Sequence, residues 1–364
     1  MANHDTDPSG GRLSRASEHI ALRGHVLLLL SAGRAAARPP LPSTPQASRT
    51  PMPFPEDLDP LLRQWLDEHT PTAADFTQAQ KRAARVLSAL QRDPEAGVLE
   101  SGLGGSVLKD TAILPISDLD VIVYMDGDEW SDVTGGWKRP ELLLGWLTER
   151  IGRTLSWQIT NGYLSVNTRR RSVEIRYTNE DAVKIDVVPI LLAKGNKEHG
   201  WIPDPVDPRG YRSTSIERQH RLINHYARPH RPLRDAVRLL KRWKLGQKIP
   251  LISYALEVLA MHTRATRGLS TPAEILWGVL DGVAEGLLLD GVHLPDYFAV
   301  PRCADPVRVF DPADRHNNLT KSLDEEDAEE IAKRARFTLG KLRRALRFQS
   351  VADEIIAEAF GEVG

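Results

Sequence analysis

The chain has 364 residues, 41% of them hydrophobic and 27% charged, with 48 Lys+Arg against 49 Asp+Glu. This length and composition suit a folded globular protein with a sizeable core. The near-balance of charge excludes a broad basic face that coats nucleic acid, because such binding rests on phosphate neutralisation. A single cysteine, Cys303, excludes a disulfide framework and a cysteine-rich zinc site and reads as a partly buried small apolar residue.

In chain order, residues 1–51 are rich in Ser, Arg, Ala, Gly and Pro without a sustained period, and are expected to be a disordered leader. Its short apolar run at 26–30 is followed by Arg34 and a Pro/Ser/Thr stretch, so it is read as non-targeting. No run approaches the roughly 18–20 apolar residues that cross a bilayer. A cytoplasmic location without membrane partners is expected, and Met52 is expected to be the natural start. Leu58, Leu61, Leu62 and Trp65 then sit at helical spacing, and a second helix is expected over 76–90. A strand over 97–101 enters the turn Gly102-Leu103-Gly104-Gly105-Ser106. Further strands are expected over 119–124, 163–166, 172–177 and 183–188, with a helix over 140–155 that has Pro in its first turn. After about residue 206 the patterns become helical, over 215–226, 233–245, 253–266, 272–287 and 325–346. The organisation read from this is a leader (1–51), a catalytic core with N-terminal helices (52–206) and a helical C-terminal domain closing the cleft (207–364).

Asp118 and Asp120 stand two residues apart at the start of a strand, so both carboxylates point to one face. Asp186 lies on another strand, with Lys184 on its face and Ile185 and Val187 on the opposite one. Adjacent strands would bring three carboxylates together, an arrangement that calls for a cation. Oxygen ligands select Mg²⁺, with Mn²⁺ as the alternative. Two ions bound there can clamp an in-line displacement at phosphorus. Gly105-Ser106 allows backbone N–H groups and a hydroxyl close to a phosphate. Each element alone is a weak signal; together with Lys109 and Thr111 between them they are specific.

The run GSVLKDTAILPISDLDVIVYM resembles the signature of the DNA polymerase β-like nucleotidyltransferases. Later segments are similar to one branch, the bacterial cGAS/DncV-like enzymes (CD-NTases): KIDVVP, then 201–205, LRDAVRLLKRWK, 252–257 and DPADRHNNLT. The likeness covers roughly 56–346. It implies an α+β fold, a polymerase β-like mixed sheet with flanking helices plus a C-terminal helical domain. It places Lys241 on a triphosphate and matches Ser253 and Tyr254 to positions that contact a phosphate and stack on a base. Lys244, one helical turn from Lys241, can face the same cleft.

Other groups have plainer readings. The run 168–171 (Thr-Arg-Arg-Arg) reads as a solvated hairpin turn, and the acids at 324–327 as a helix N-terminus. His220, His225 and His230 do not share a helical face, so no zinc site is expected. The chain lacks a cysteine-rich insertion like the zinc thumb of animal cyclic GMP-AMP synthase, and direct activation by double-stranded nucleic acid is not expected. What the resemblance implies is an enzyme that joins ATP or other NTPs into a cyclic di- or trinucleotide with release of pyrophosphate. Such family members act in anti-phage (CBASS-type) defence, with a product-activated effector and a regulatory partner. The alternative is a nucleotidyltransferase acting on an RNA 3′ end or a small acceptor such as an aminoglycoside.

Overall fold

Alternation of side chains along three strands of one sheet organises the first half of the computed structural model. Residues 53–361 are described, apart from 94–96, 117, 132–135, 137, 179–183, 194–198, 206, 228–231 and 295–302. The expected leader, Ser117 and His230 lie outside them. The helices are α1 (Leu58–His69), α2 (Ala73–Arg92), α3 (Gly105–Leu108), α4 (Pro140–Thr154), α5 (Ser156–Thr160), α6 (Ile216–Ala227), α7 (Pro232–Gly246), α8 (Ser253–Arg267), α9 (Pro272–Ala284), α10 (Leu287–Asp290), α11 (Glu325–Arg347) and α12 (Ala352–Ala359). The strands are β1 (Val98–Leu103), β2 (Asp118–Asp126), β3 (Leu164–Thr168), β4 (Val173–Tyr177), β5 (Lys184–Leu192), β6 (Gly200–Pro203), β7 (Tyr211–Thr214), β8 (Phe310–Asp311) and β9 (Asp314–Asn318).

The main sheet runs β1-β2-β5-β4-β3, with β6 and β7 added beside β5. Its β2–β5 pair is parallel and its other pairs are antiparallel, so the sheet is mixed. Leu119, Val121, Val123 and Met125 of β2, Ile185 and Val187 of β5, and Val173 and Ile175 of β4 are buried in one core. That core is shared with Ala83, Val86 and Leu90 of α2 and Leu143, Leu144 and Leu147 of α4. The residues between them, Asp118, Asp120, Lys184, Asp186, Glu174 and Arg176, therefore fall on the opposite face.

A second core gathers α6 to α9, α11 and α12 around α9, whose Ile275, Leu276, Val279 and Leu280 are fully buried. Each such side chain contributes roughly 1.5–3 kcal/mol by leaving water. The capping boxes Thr271–Glu274 and Asp324–Asp327 start α9 and α11, so the acids at 324–327 do mark a helix N-terminus. Two features cross the boundary expected at residue 206. Helix α1, grouped by sequence with the catalytic half, buries Leu58, Leu62, Trp65 and Leu66 in the helical core, where Trp65 stacks on Phe360. The sheet also continues past residue 206, because β7 pairs with β6. Both cores lie within one unit, Pro51–Gly364.

Candidate active site

The parallel register of β2 and β5 sets Asp120 beside Asp186 and Asp118 beside Lys184. The three carboxylates expected to converge line one cleft of about 420 Å³. Gly105, Ser106, Lys241, Lys244, Ser253 and Tyr254 line it too, so every site residue singled out from sequence meets in one place. Burial, then the charges of Asp186 and Asp118, push the Asp120 carboxyl above the usual carboxylate range. Ser172 donates to Asp186 Oδ1 at 3.1 Å. Lys184 Nζ lies 3.2 Å from Asp118 and 2.9 Å from Asp186, spanning the two. Partial burial opposes its charge, but the hydrogen bond to Asp186 and the charges of both carboxylates outweigh this and raise its pKa.

Among the described residues no three His, Cys, Asp or Glu side chains form a ready ion cage. Here an ammonium group lies among the carboxylates instead. The donor set still fits a hard divalent cation: all-oxygen, anionic, and short enough of positive charge that the Asp120 pKa is raised.

The glycine turn is shaped by the same aspartate. Gly104 N–H donates to the Asp120 carbonyl at 2.8 Å. Gly105 has φ +56°, and a methyl group added there would overlap the Asp120 carboxylate. The backbone at Ser106 can approach the Asp120 carboxylate only because Gly105 has no side chain.

Three cations of α7 hold the chain that follows. Arg234, Arg238 and Lys241 are spaced i, i+4 and i+7, one face of the helix. Arg234 donates to the Lys109 carbonyl at 3.1 Å, and Arg238 to the carbonyls of Ala112 at 3.1 Å and Asp110 at 2.8 Å. Lys241 donates to Thr111 O at 2.9 Å and Thr111 Oγ1 at 2.8 Å. Asp110 has φ +53°, and its carboxylate pairs with Arg238 at 2.6 Å.

Beneath the cleft Glu257 is buried between Lys109 at 2.8 Å and Lys241 at 3.6 Å. Burial, only partly offset by Glu257, lowers the Lys241 pKa to about 8. Lys241, expected on a triphosphate, thus forms the cleft wall with its hydrogen bonds made to Thr111. For Glu257, burial works toward protonation, yet Lys109 and Lys241 hold its carboxyl below the usual 4.5. As pH falls through that value the unfolded chain takes up a proton that the folded one refuses. The stabilisation is therefore complete above pH 4.5 and is lost as pH falls through the lower, folded value. Glu257→Gln leaves two buried ammonium groups without their counter-charge, an expected loss of about 3–5 kcal/mol at neutral pH. Urea midpoints should fall less steeply with acid in this variant than in the parent.

Several of these residues carried no usable signal in the sequence. Glu257 sits 148 positions from Lys109. The arginine run does turn between β3 and β4 with Arg169 and Arg170 exposed, as read, and its side chains are also paired. Arg169 binds Glu174 at 2.6 Å, while Arg170 and Arg171 reach the fully buried Asp204 at 3.2 and 2.6 Å. Asp204, far along the chain, attracts them because a buried carboxylate needs counter-charge.

Residues 52–225 match the model of the Second Messenger Oligonucleotide or Dinucleotide Synthetase domain. A CBASS oligonucleotide cyclase, CdnC of Escherichia coli (strain KTE188), is 24% identical over 235 residues, 63% of this chain and 71% of that protein. Two solved structures of E. coli MS115-1 CdnC, each covering 83% of this chain and 97% of its own, share the fold. One is the complex with HORMA-deltaN (TM-score 0.68, 19% identity) and the other is CdnC with ATP (TM-score 0.69, 18% identity). These likenesses agree with the resemblance of the sequence to the CD-NTases.

One wall of the cleft is built on α8. The Tyr254 hydroxyl donates to Asp311 Oδ1 at 3.0 Å, and Lys109 Nζ lies 4.6 Å from its ring centroid. Burial, then the neighbouring Asp311 and Glu257 charges, raise the phenol well above its ordinary pKa, which keeps it a neutral donor. Asp311 also accepts from Asn317 at 3.0 Å, so β8 and β9 fix the ring from behind. Lys244 donates to Ser253 Oγ at 3.4 Å, and burial lowers its pKa. Ile113, Pro115, Ile116 and Leu245 supply the apolar part of the lining.

Proposed function

We propose that this protein acts as a CD-NTase, joining NTPs into a cyclic di- or trinucleotide second messenger and releasing pyrophosphate at each step. The observation that carries the reading is the single cleft in which Asp118, Asp120 and Asp186 face the Gly105-Ser106 turn and the α7–α8 wall. In each step a ribose hydroxyl oxygen bonds to the α-phosphorus of an NTP, and the bond from that phosphorus to the β-phosphate bridging oxygen breaks.

Asp118, Asp120 and Asp186 would hold Mg²⁺, which when bound supplies Lewis-acid stabilisation of the phosphoryl oxygens. Two ions and an Mn²⁺ alternative fit the three carboxylates. Asp186 orients the acceptor hydroxyl and takes its proton. Gly105 and Ser106 offer backbone N–H groups and a hydroxyl to the phosphates, and Lys244 and Ser253 act from the other wall. Lys241 keeps Thr111 and the turn in register and lends its charge from beneath. Tyr254, fixed through Asp311, presents its ring to a base.

The proposed setting is anti-phage signalling in the cytoplasm, with a product-activated effector. The named complex of CdnC with HORMA-deltaN supports a regulatory partner here too. Among the described residues no helix is long and apolar enough to cross a membrane.

Incubation with an equimolar NTP mixture and Mg²⁺ is the test. A phosphatase-resistant nucleotide of the mass of a cyclic di- or trinucleotide, made without any added acceptor, is expected. Strict dependence on an RNA or small-molecule acceptor would overturn the reading.

A further inference from the structure

The positive side chains around the cleft carboxylates differ in what answers their charge. Lys109 acts on Asp120, yet its Nζ lies 2.8 Å from the buried Glu257, which neutralises it. Arg176 of β4 stands directly across from Lys184 of β5. Its guanidinium turns to the buried Glu174 at 3.3 Å, which Arg169 also holds. Lys184 is different. Among the described residues its ion pairs are to Asp118 and Asp186, two of the groups that would hold Mg²⁺.

The strand register fixes this position. Lys184 pairs with Asp118 across β2 and β5 and stands two residues before Asp186, on the same face of β5. One ammonium group therefore reaches both, Asp118 Oδ1 at 3.2 Å and Asp186 Oδ2 at 2.9 Å. Ser172 donates to the other oxygen of Asp186 at 3.1 Å and keeps that carboxylate turned toward the lysine. As a stabilising pair the arrangement is poor. Asp118 is 61% exposed and Lys184 27%, and ion pairs this open contribute little to a fold. An ammonium group and a divalent cation also repel each other, so the two compete for the same oxygens.

We infer that Lys184 is a built-in competitor for the cation: its ammonium group must leave Asp118 and Asp186 before Mg²⁺ can be held there, so the protein binds Mg²⁺ weakly until a nucleotide arrives. The inference rests on the nucleotide-joining reading above and on its carboxylates as cation ligands. Lys184 can leave because its ammonium is a point charge on a flexible four-carbon stem, and the side chain is already partly in solvent. Leaving costs two charge-assisted hydrogen bonds. A triphosphate offsets that loss, since it brings negative charge for the displaced ammonium group to face. Without a nucleotide the lysine keeps its place, and the carboxylates are not given over to an idle cation.

The test measures cation binding in the absence of nucleotide. Mn²⁺ is the probe, titrated into the full chain and followed by the electron paramagnetic resonance of the free ion. Lys184→Met removes the charge and keeps an apolar stem, while Lys184→Arg keeps the charge. Arg176→Met removes the neighbouring positive charge that Glu174 already answers. Lys184→Met is expected to lower the Kd for Mn²⁺ at least about tenfold, the scale on which one unit charge at this range acts near a protein surface. Lys184→Arg and Arg176→Met should bind like the parent. An unchanged Kd in Lys184→Met overturns the inference. An equal gain in Arg176→Met overturns it too, because any lost positive charge would then serve, and so does an equal gain in Lys184→Arg.

Acetylation of the parent gives a second readout that needs neither a variant nor turnover. An amine held between two carboxylates is shielded from acetic anhydride, so peptide mass spectrometry should find more acetyl-Lys184 at saturating Mg²⁺ than without it. Acetylation that does not respond to Mg²⁺ sinks the displacement. Two failures remain distinguishable. If Lys184→Met binds Mn²⁺ no tighter while the parent still joins nucleotides, the functional reading stands and only the competitor is lost. If the parent and every variant leave Mn²⁺ unbound, with and without the α,β-methylene analogue of ATP, the carboxylates are not cation ligands and the functional reading falls as well.

Discussion

Replacing Asp118 and Asp120 together by Asn is expected to abolish nucleotidyl transfer while the melting temperature stays level or rises. The activity term is large. Two of three anionic oxygen donors disappear, and stabilisation of a phosphoryl transition state by held cations amounts to several kcal/mol, on the order of a 10³-fold change in rate or more. The stability term has the opposite sign. Asp120 is pushed toward protonation by burial and by its two neighbours, so its charge at neutral pH works against the fold, and an amide removes that cost. The lost pair between Asp118 and Lys184 is mostly exposed on the Asp118 side and is worth little. Product formation from labelled NTPs and thermal melting, measured on the same preparation, decide it. Retained turnover would remove these aspartates from the chemistry; a collapsed melting temperature would make them structural.

Gly105→Ala is expected to be nearly as damaging by a different route. A left-handed backbone costs a non-glycine residue roughly 1–2 kcal/mol, and Gly105 has φ +56°. The added methyl group also overlaps the Asp120 carboxylate, so either the carboxylate swings away or the turn shifts. A displacement of about 1 Å at reacting groups can lower a rate on the order of 10²-fold. Gly102→Ala is the matched control, because a methyl group there meets nothing within 4 Å. Calorimetric melting and single-turnover transfer should separate the two variants: strong loss of both for Gly105, near-parental values for Gly102. Equal behaviour would mean that the turn is more pliable than its packing implies.

The contrast between these glycines bears on what could be read in advance. The spacing of Asp118 and Asp120, and the alternation around Asp186, were legible because a strand's period is local and two carboxylates on one face need no knowledge of the partner strand. Strand β5 carried its own evidence, with Ile185 and Val187 turned into the core and Lys184 and Asp186 away from it. That Gly105 is required by Asp120 was not legible, since the overlap exists only once β1 and β2 are paired. The same holds for Glu257 between Lys109 and Lys241, for Asp204 among the arginines, and for α1 in the helical core. Each is a partnership between distant positions, and residue type alone gives a buried carboxylate and an exposed one the same appearance. The placement of Lys241, Ser253 and Tyr254 came through likeness to a family, and the fold brings all three to the cleft.

The grip of α7 on residues 109–112 has a consequence for how the protein comes apart. Those backbone groups belong by sequence to the catalytic half, yet their hydrogen bonds end on Arg234, Arg238 and Lys241, whose helix is seated in the other core. Loosening the turn therefore strips partners from buried cations, and melting α7 strips partners from the turn. Neither core can open far at the other's expense. Amide exchange at 109–112 should follow the slowest protons of α7 and α9 rather than those of an ordinary surface loop, and heating should give one cooperative transition across the whole Pro51–Gly364 unit.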